Sequence, residues 1–205
     1  MKELNKVSFQ RSLSPHRPTV CIFADTSQGA FGACAYIRWM TINKEHDVRF
    51  VAAKSRVAPL KELTILPREL QAAVLASRLQ VSIKEECRFQ FDETFLFTDS
   101  AIVLACIRST ARRYKPFVSS IVGQIQSNSD PAQWKHILGE QNVADKVSQG
   151  MAVSELSERW QTGPEFLCLP KEQWPQTEPE ANPEVERERR RTKEVGAVVV
   201  TPKCQ

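Results

Sequence analysis

The sequence predicts an α/β domain built on a mixed five-stranded sheet, three antiparallel strands first, with helices on its flanks. Three observations carry this. Two apolar runs, Val20-Cys21-Ile22-Phe23-Ala24 and Phe95-Leu96-Phe97-Thr98, read as strands buried on both faces. Two further β-type stretches follow the first run after short links, which suits an antiparallel meander. A stripe of Ala72, Ala73, Ala76 and Leu79 at helical spacing then precedes the second run.

The elements follow in order. Residues 1–17 form a mixed lead-in that ends Ser-Pro-His-Arg-Pro. Residues 19–25 read as the first strand. Thr26-Ser27-Gln28-Gly29 supplies a turn, with Gly29 able to take positive φ. Ala33 to Met40 and Val48 to Ser55 are the second and third strands. Pro67 suits the first turn of a helix, where its missing N–H costs nothing, and that helix runs to Leu79 or Ile83. Phe95 to Thr98 is a central strand, and Ser100 caps a helix over Ala101 to Ile107. Pro116 to Ser127 is a further helix and Gln133 to Ile137 the fifth strand. Leu138 to Asn142 is a loop, and Val143 to Gln149 starts a last helix. The order is β-β-β-α-β-α-α-β-α within a domain spanning residues 18–150. Trp160, Phe166 and Trp174 suggest that residues 151–175 pack on that domain as an extension. Residues 176–205 turn Pro/Glu-rich and then Arg-rich, and read as a flexible charged tail.

Composition narrows the class. The 205 residues are 41% hydrophobic and 25% charged, as in soluble globular chains, with a formal net charge of +4. Gln176 to Gln205 hold six acidic and six basic side chains, so the excess lies in the first 175 residues. That bias is compatible with a polyanionic partner. The six cysteines (Cys21, Cys34, Cys87, Cys106, Cys168, Cys204) include no C-x-x-C pair, and His16, His46 and His136 add no zinc-type spacing. Reduced thiols and an intracellular protein are expected, without distinguishing cytoplasm from nucleus. No stretch reaches bilayer length, and the start lacks a signal-peptide core, so no membrane role is expected.

Four acids carry the chemistry. Asp25 and Asp99 end the two apolar runs, Glu69 heads the alanine stripe, and Asp145 opens the last helix. Acids at two strand ends and two helix starts can converge on one rim of a mixed sheet. Gathered carboxylates repel one another unless cations neutralise them. Hard divalent ions with oxygen ligands do so, and a pair of them makes a phosphodiester-cleaving site. Taken singly, the same acids also suit ordinary turns or the positive end of a helix. His136 also suits a structural or solvated histidine, and the basic segment from Arg108 to Lys115 a solvated connector. An aspartic protease would need D-[ST]-G, but Asp25-Thr26 is followed by Ser27.

The local text is more telling. Phe23-Ala24-Asp25-Thr26-Ser27-Gln28-Gly29-Ala30-Phe31-Gly32-Ala33, Ala53-Lys54-Ser55-Arg56-Val57-Ala58-Pro59, Glu69-Leu70-Gln71-Ala72-Ala73, Thr98-Asp99-Ser100 and Gly139-Glu140-Gln141-Asn142-Val143-Ala144-Asp145 together resemble the ribonuclease H region of BEL/Pao-type retrotransposon polyproteins, from about Val7 to Trp174. The resemblance implies a ribonuclease H-like fold. It implies an endonuclease that cuts the RNA strand of RNA–DNA hybrids with two Mg²⁺ ions, Mn²⁺ being an alternative. Asp25, Glu69, Asp99 and Asp145 match the metal-binding catalytic acids, and His136 resembles the mobile histidine that assists proton transfer or product release. Arg108, Arg112, Arg113 and Lys115, with Lys54 and Arg56, are the candidates for nucleic-acid contacts. A reverse transcriptase domain of the same element is a further implied partner. The chain would be a fragment of a mobile element or an open reading frame derived from one. The alternative function is a catalytically inactive remnant that binds nucleic acid or a protein partner.

The text departs from the family in places. Leu66-Pro67-Arg68-Glu69 stands where I-P-R-L-E is usual, Phe97 and Cys106 stand where tryptophans are common, Leu138 replaces a proline, and Gln149 replaces a common arginine. None of these removes an acid.

Overall fold

The computed structural model describes residues 17–59, 64–88, 90–150 and 158–177. The lead-in (to residue 16), residues 151–157 and the tail from residue 178 lie outside the described residues.

Five strands form one sheet: β1 (Thr19–Thr26), β2 (Ala30–Met40), β3 (His46–Val57), β4 (Glu93–Thr98) and β5 (Trp134–His136), in the order β3-β2-β1-β4-β5. β1 pairs antiparallel with β2, and β2 with β3. β4 lies parallel to β1 on its other side, and β5 parallel to β4. This is the mixed five-stranded sheet, three antiparallel strands first, that the sequence predicts. The helices are α1 (Ile65–Glu86), α2 (Ala101–Arg108), α3 (Pro116–Asn128), α4 (Asp145–Gln149) and α5 (Glu158–Thr162). Among the described residues no helix is long and apolar enough to cross a membrane.

β1 is buried on both faces, which is why its sequence is apolar without alternation. Val20, Ile22 and Ala24 join one core with Leu70, Ala73, Ala76 and Leu79 of α1 and with Val122 and Ile125 of α3. The alanines let α1 lie close to the sheet. Cys21 and Phe23 face a second core with Tyr36, Phe97, Trp160, Phe166 and Trp174. Phe23 stacks on Phe97 with centroids 4.8 Å apart, and Phe166 meets Phe97 edge-on at 5.5 Å. Burial pushes the Cys21 thiol up to about 12 and raises that of Cys34 too, so both stay protonated core groups. Cys106 is fully buried among the α2 residues of the first core.

Residues 158–177 cover the aromatic face with the short α5 and 3₁₀ turns. Such backbone needs partners from elsewhere. Tyr36 Oη donates to the Trp160 carbonyl at 3.0 Å. Arg38 donates from Nε to the Leu167 carbonyl at 2.6 Å and from Nη2 to the Leu169 carbonyl at 2.7 Å. The guanidinium also lies 5.2 Å from the Trp174 ring centroid.

Several boundaries differ from the sequence expectation. The first hairpin is tighter. Ser27 Oγ accepts the amides of Gly29 and Ala30, so β2 starts at Ala30 and not Ala33. Gly29 does not take positive φ, because the serine hydroxyl organises the turn in its place. α1 begins at Ile65, two residues before Pro67, and runs to Glu86. Pro67 is its third residue, where the N–H would still lack an intrahelical partner. Gln133 leaves β5 for a 3₁₀ turn, where it completes a capping box with Asp130.

Arg38→Ala is expected to destabilise the chain by about 3 kcal/mol, because it strips two carbonyls of a charged donor. Arg38→Lys recovers little, since an ammonium does not reproduce the fork. Urea unfolding measures both, and a loss below about 1 kcal/mol for the alanine variant would remove Arg38 from this role.

Candidate active site

Parallel pairing sets the centre of the site. Ala24 of β1 is in register with Thr98 of β4, and the next residue on each strand is an aspartate, Asp25 or Asp99. Thr98 is in turn in register with His136 of β5. The C-terminal ends of three parallel strands therefore carry Asp25, Asp99 and His136. This is the sheet edge where open α/β folds place their ligands.

Glu69 reaches the same edge from the second turn of α1. A pocket of about 220 Å³ opens there, lined by Asp25, Glu69 and Asp99 with Ala24, Thr26, Ala72, Thr98 and Ser100. Ala72, one turn after Glu69, contributes a small side chain to the wall. Among the described residues, no lysine, arginine or histidine lines the pocket.

Each acid has a neutral donor. Ser100 Oγ accepts the Val103 amide as the cap of α2 and donates to Glu69 Oε2. Ser148 Oγ donates to Asp25 Oδ2, and Gln149 Nε2 to Asp145 Oδ1. Asn142, only 3% exposed, donates from Nδ2 to the Ala24 carbonyl at 2.9 Å, and its amide helps to pull the Asp99 carboxyl down. Of these four donors, the sequence marks Ser100 only as a cap, Asn142 only as family text and Gln149 only as a departure from it. Ser148 carries no signal there.

Burial raises the Asp25 carboxyl above its ordinary 3.8. The Ser148 hydroxyl and the Thr26 amide pull it down, while repulsion from Asp99 and Asp145 pushes it up. Asp99 is raised first by burial and further by Asp145, against its own backbone amide, Asn142 and His136. Asp145 thus acts on both aspartates although it does not line the pocket.

The donor set fits a hard divalent cation: oxygen ligands, mutual repulsion, and no cationic side chain among the described lining residues. Among the described residues, though, no three His, Cys, Asp or Glu side chains stand close enough to hold an ion as they are. Glu69 Oε2 accepts from Ser100 and Asp25 Oδ2 from Ser148, so a hydroxyl fixes each carboxylate at this edge.

The remaining candidates sit outside the pocket. His136 Nε2 lies 3.0 Å from the Asp99 carbonyl oxygen. A carbonyl only accepts, so Nε2 carries the proton and the buried Nδ1 has no partner among the described residues. The ring is therefore held on the Asp99 backbone. Arg112 and Arg113 lie exposed in a 3₁₀ turn, and Lys115 is exposed at the cap of α3. Tyr114 between them is fully buried, which anchors the segment and leaves its basic neighbours outside. Arg108 reaches the Trp134 carbonyl at 3.5 Å, and Lys54 reaches Ser82 Oγ at 3.4 Å. Arg56 is exposed on β3. None of the six basic residues lines the pocket.

Residues 1–100 match the family model described as the Pao retrotransposon-like RNaseH-like domain. That stretch contains Asp25, Glu69 and Asp99 but neither His136 nor Asp145. No curated protein matches the chain. Among solved structures, the chain is similar to the N-terminal RNase H domain of a Mycobacterium tuberculosis protein, at 15% identity over 64% of this chain and 94% of that one, with a TM-score of 0.43. It is also similar to LC11-RNase H1 in complex with an RNA/DNA hybrid, at 14% identity over 69% of this chain and 100% of that one, with a TM-score of 0.42. For RNase H1 of Halobacterium salinarum the identity is 14% over 62% and 90% of the two chains, with a TM-score of 0.37.

Asp25 and Asp99 bind protons more tightly folded than unfolded. Their ionisation therefore opposes folding increasingly as pH rises from the unfolded value through the raised folded one. Without divalent cations at neutral pH, Asp25→Asn and Asp99→Asn are expected to melt a few degrees above the parent. The gap should close as pH falls toward about 4. Thermal melts across pH check this, and parent-like melting at neutral pH would show that these carboxylates do not oppose folding.

Proposed function

We propose that the chain is a divalent-metal-dependent endonuclease of the ribonuclease H type, cutting the RNA strand of RNA–DNA hybrids as part of a retrotransposon polyprotein. The observation that supports this most is the adjacency of Asp25 and Asp99 at the ends of parallel neighbours, with Glu69 in the same pocket.

In this reading Asp25, Glu69, Asp99 and Asp145 hold two Mg²⁺ ions, or Mn²⁺ in their place. When bound, such ions activate the attacking water and neutralise charge on the leaving 3′ oxygen. The protein's own groups set the stage for that chemistry. Asn142 ties its loop to the end of β1 through the Ala24 carbonyl, and Ser100, the cap of α2, holds Glu69. His136 serves proton transfer or product release only after its ring leaves the Asp99 carbonyl. Arg108, Arg112, Arg113 and Lys115 meet phosphates of the DNA strand, with Lys54 and Arg56 as secondary contacts. The 2′-hydroxyls in the shallow minor groove distinguish the RNA strand. A reverse transcriptase domain of the same element would deliver such a hybrid.

One observation favours a second reading, an inactive remnant that still binds nucleic acid or a protein. Among the described residues the acids do not form a ready three-ligand group.

Labelled hybrid incubated with the protein and Mg²⁺ or Mn²⁺ separates the two. Cleavage of the RNA strand by the parent and none by Asp99→Asn is expected. Intact RNA with retained hybrid binding would favour the remnant. Replacing Arg112 and Arg113 together by alanine should weaken hybrid binding. It should also flatten the slope of log affinity against log salt by about 0.7–0.9 for each phosphate no longer neutralised. An unchanged slope would remove both arginines from the interface.

A further inference from the structure

We propose that Ser148 is a positioning residue: its hydroxyl holds the Asp25 carboxylate and ties the end of β1 to the helix that carries Asp145. What Asp25 is positioned to do rests on the nuclease reading; the positioning itself rests on geometry.

α4 has only five residues, too few to be stable without outside contacts. Ser148 supplies two of them. Its hydroxyl donates to Asp25 Oδ2, a partner 123 residues away in the chain. Its carbonyl accepts the Ser27 hydroxyl at 2.7 Å. Ser27 lies two residues after Asp25 and organises the hairpin turn through the Ala30 amide at 3.1 Å. Side chain and backbone of one residue therefore clamp both the first-strand acid and the turn that follows it.

β2 is shaped for this contact. Asp25 is in register with Gly32, and a Cβ added at Gly32 would stand 2.8 Å from the Ser148 amide nitrogen and 2.9 Å from Val147 Cβ. Only a glycine lets α4 settle this low on the sheet. Ser148 is 4% exposed, so an alanine would fill nearly the same buried space. What serine adds is the hydroxyl. That group also lies 3.0 Å from the Asp145 carbonyl, a helix-internal contact that alone would explain nothing beyond α4. The bond to Asp25 crosses to another element and ends on a carboxylate. Holding an acid in one rotamer before a cation arrives removes an ordering cost from binding. Partners of metal-ligating carboxylates are typically worth 10–100-fold in metal affinity.

The test uses the full chain with Ser148→Ala, and the isosteric pair Ser148→Thr and Ser148→Val, which differ by the hydroxyl. Three-bond couplings about Asp25 χ1, measured by NMR without metal, should report one rotamer for the parent and S148T, and averaging for S148A and S148V. Calorimetric titration with Mn²⁺ should give affinities about tenfold weaker for the two variants lacking the hydroxyl, and near the parent for S148T. If S148A does not fold, the Thr/Val pair decides. A single Asp25 rotamer without the hydroxyl, or unchanged Mn²⁺ affinity, overturns the inference. If the parent itself binds no Mn²⁺, the nuclease reading fails, and the couplings alone then decide the positioning role.

Discussion

Two like charges stand side by side because two parallel strands end in register. Everything at this edge of the sheet follows from that. Once Ala24 and Thr98 pair, Asp25 and Asp99 become neighbours, and burial makes their charge costly. A protein usually relieves such a pair with a lysine or arginine. Here the relief comes from neutral donors, Ser148 and Asn142, and a hydroxyl from Ser100 serves Glu69. Neutral donors orient carboxylates without cancelling their charge. The pocket thus keeps a negative potential whenever these carboxylates are ionised.

The same edge explains how the chain outside the sheet is arranged. α4 is too short to stand alone, and it borrows stability from β1, the hairpin turn and the space at Gly32. On the opposite face of the sheet from α1, residues 158–177 form no long helix. They are held by aromatic packing and by donors of β2, above all Arg38, whose two bonds satisfy carbonyls that irregular backbone would otherwise bury unpaired. Stability on this face therefore depends on a few specific polar contacts as much as on apolar area. The basic turn around Tyr114 shows a third arrangement. One buried aromatic anchors it, and the charges of Arg112, Arg113 and Lys115 remain in solvent, separate from the acidic pocket.

Features that depend on neighbours in the chain are legible in the residues alone. Apolar runs of β1 and β4 announce buried strands, and each ends in its acid. The alanine stripe announces a helix packed against the sheet, and Glu69 comes with it. Ser100 is legible as a cap because capping is a local bond. Boundaries slip where a side chain replaces a backbone preference, as at Ser27, whose hydroxyl organises a turn expected of Gly29. Remote partners are set only once the chain is folded. Ser148 finds Asp25 across 123 residues, Asn142 finds the Ala24 carbonyl across 118, and Arg38 finds the Leu167 carbonyl across 129. Gly32 gains its meaning only when α4 lies on it. Periodicity and propensity report how a segment pairs with itself. A hydrogen bond between remote segments is chosen by strand register and helix placement, and no local pattern encodes it.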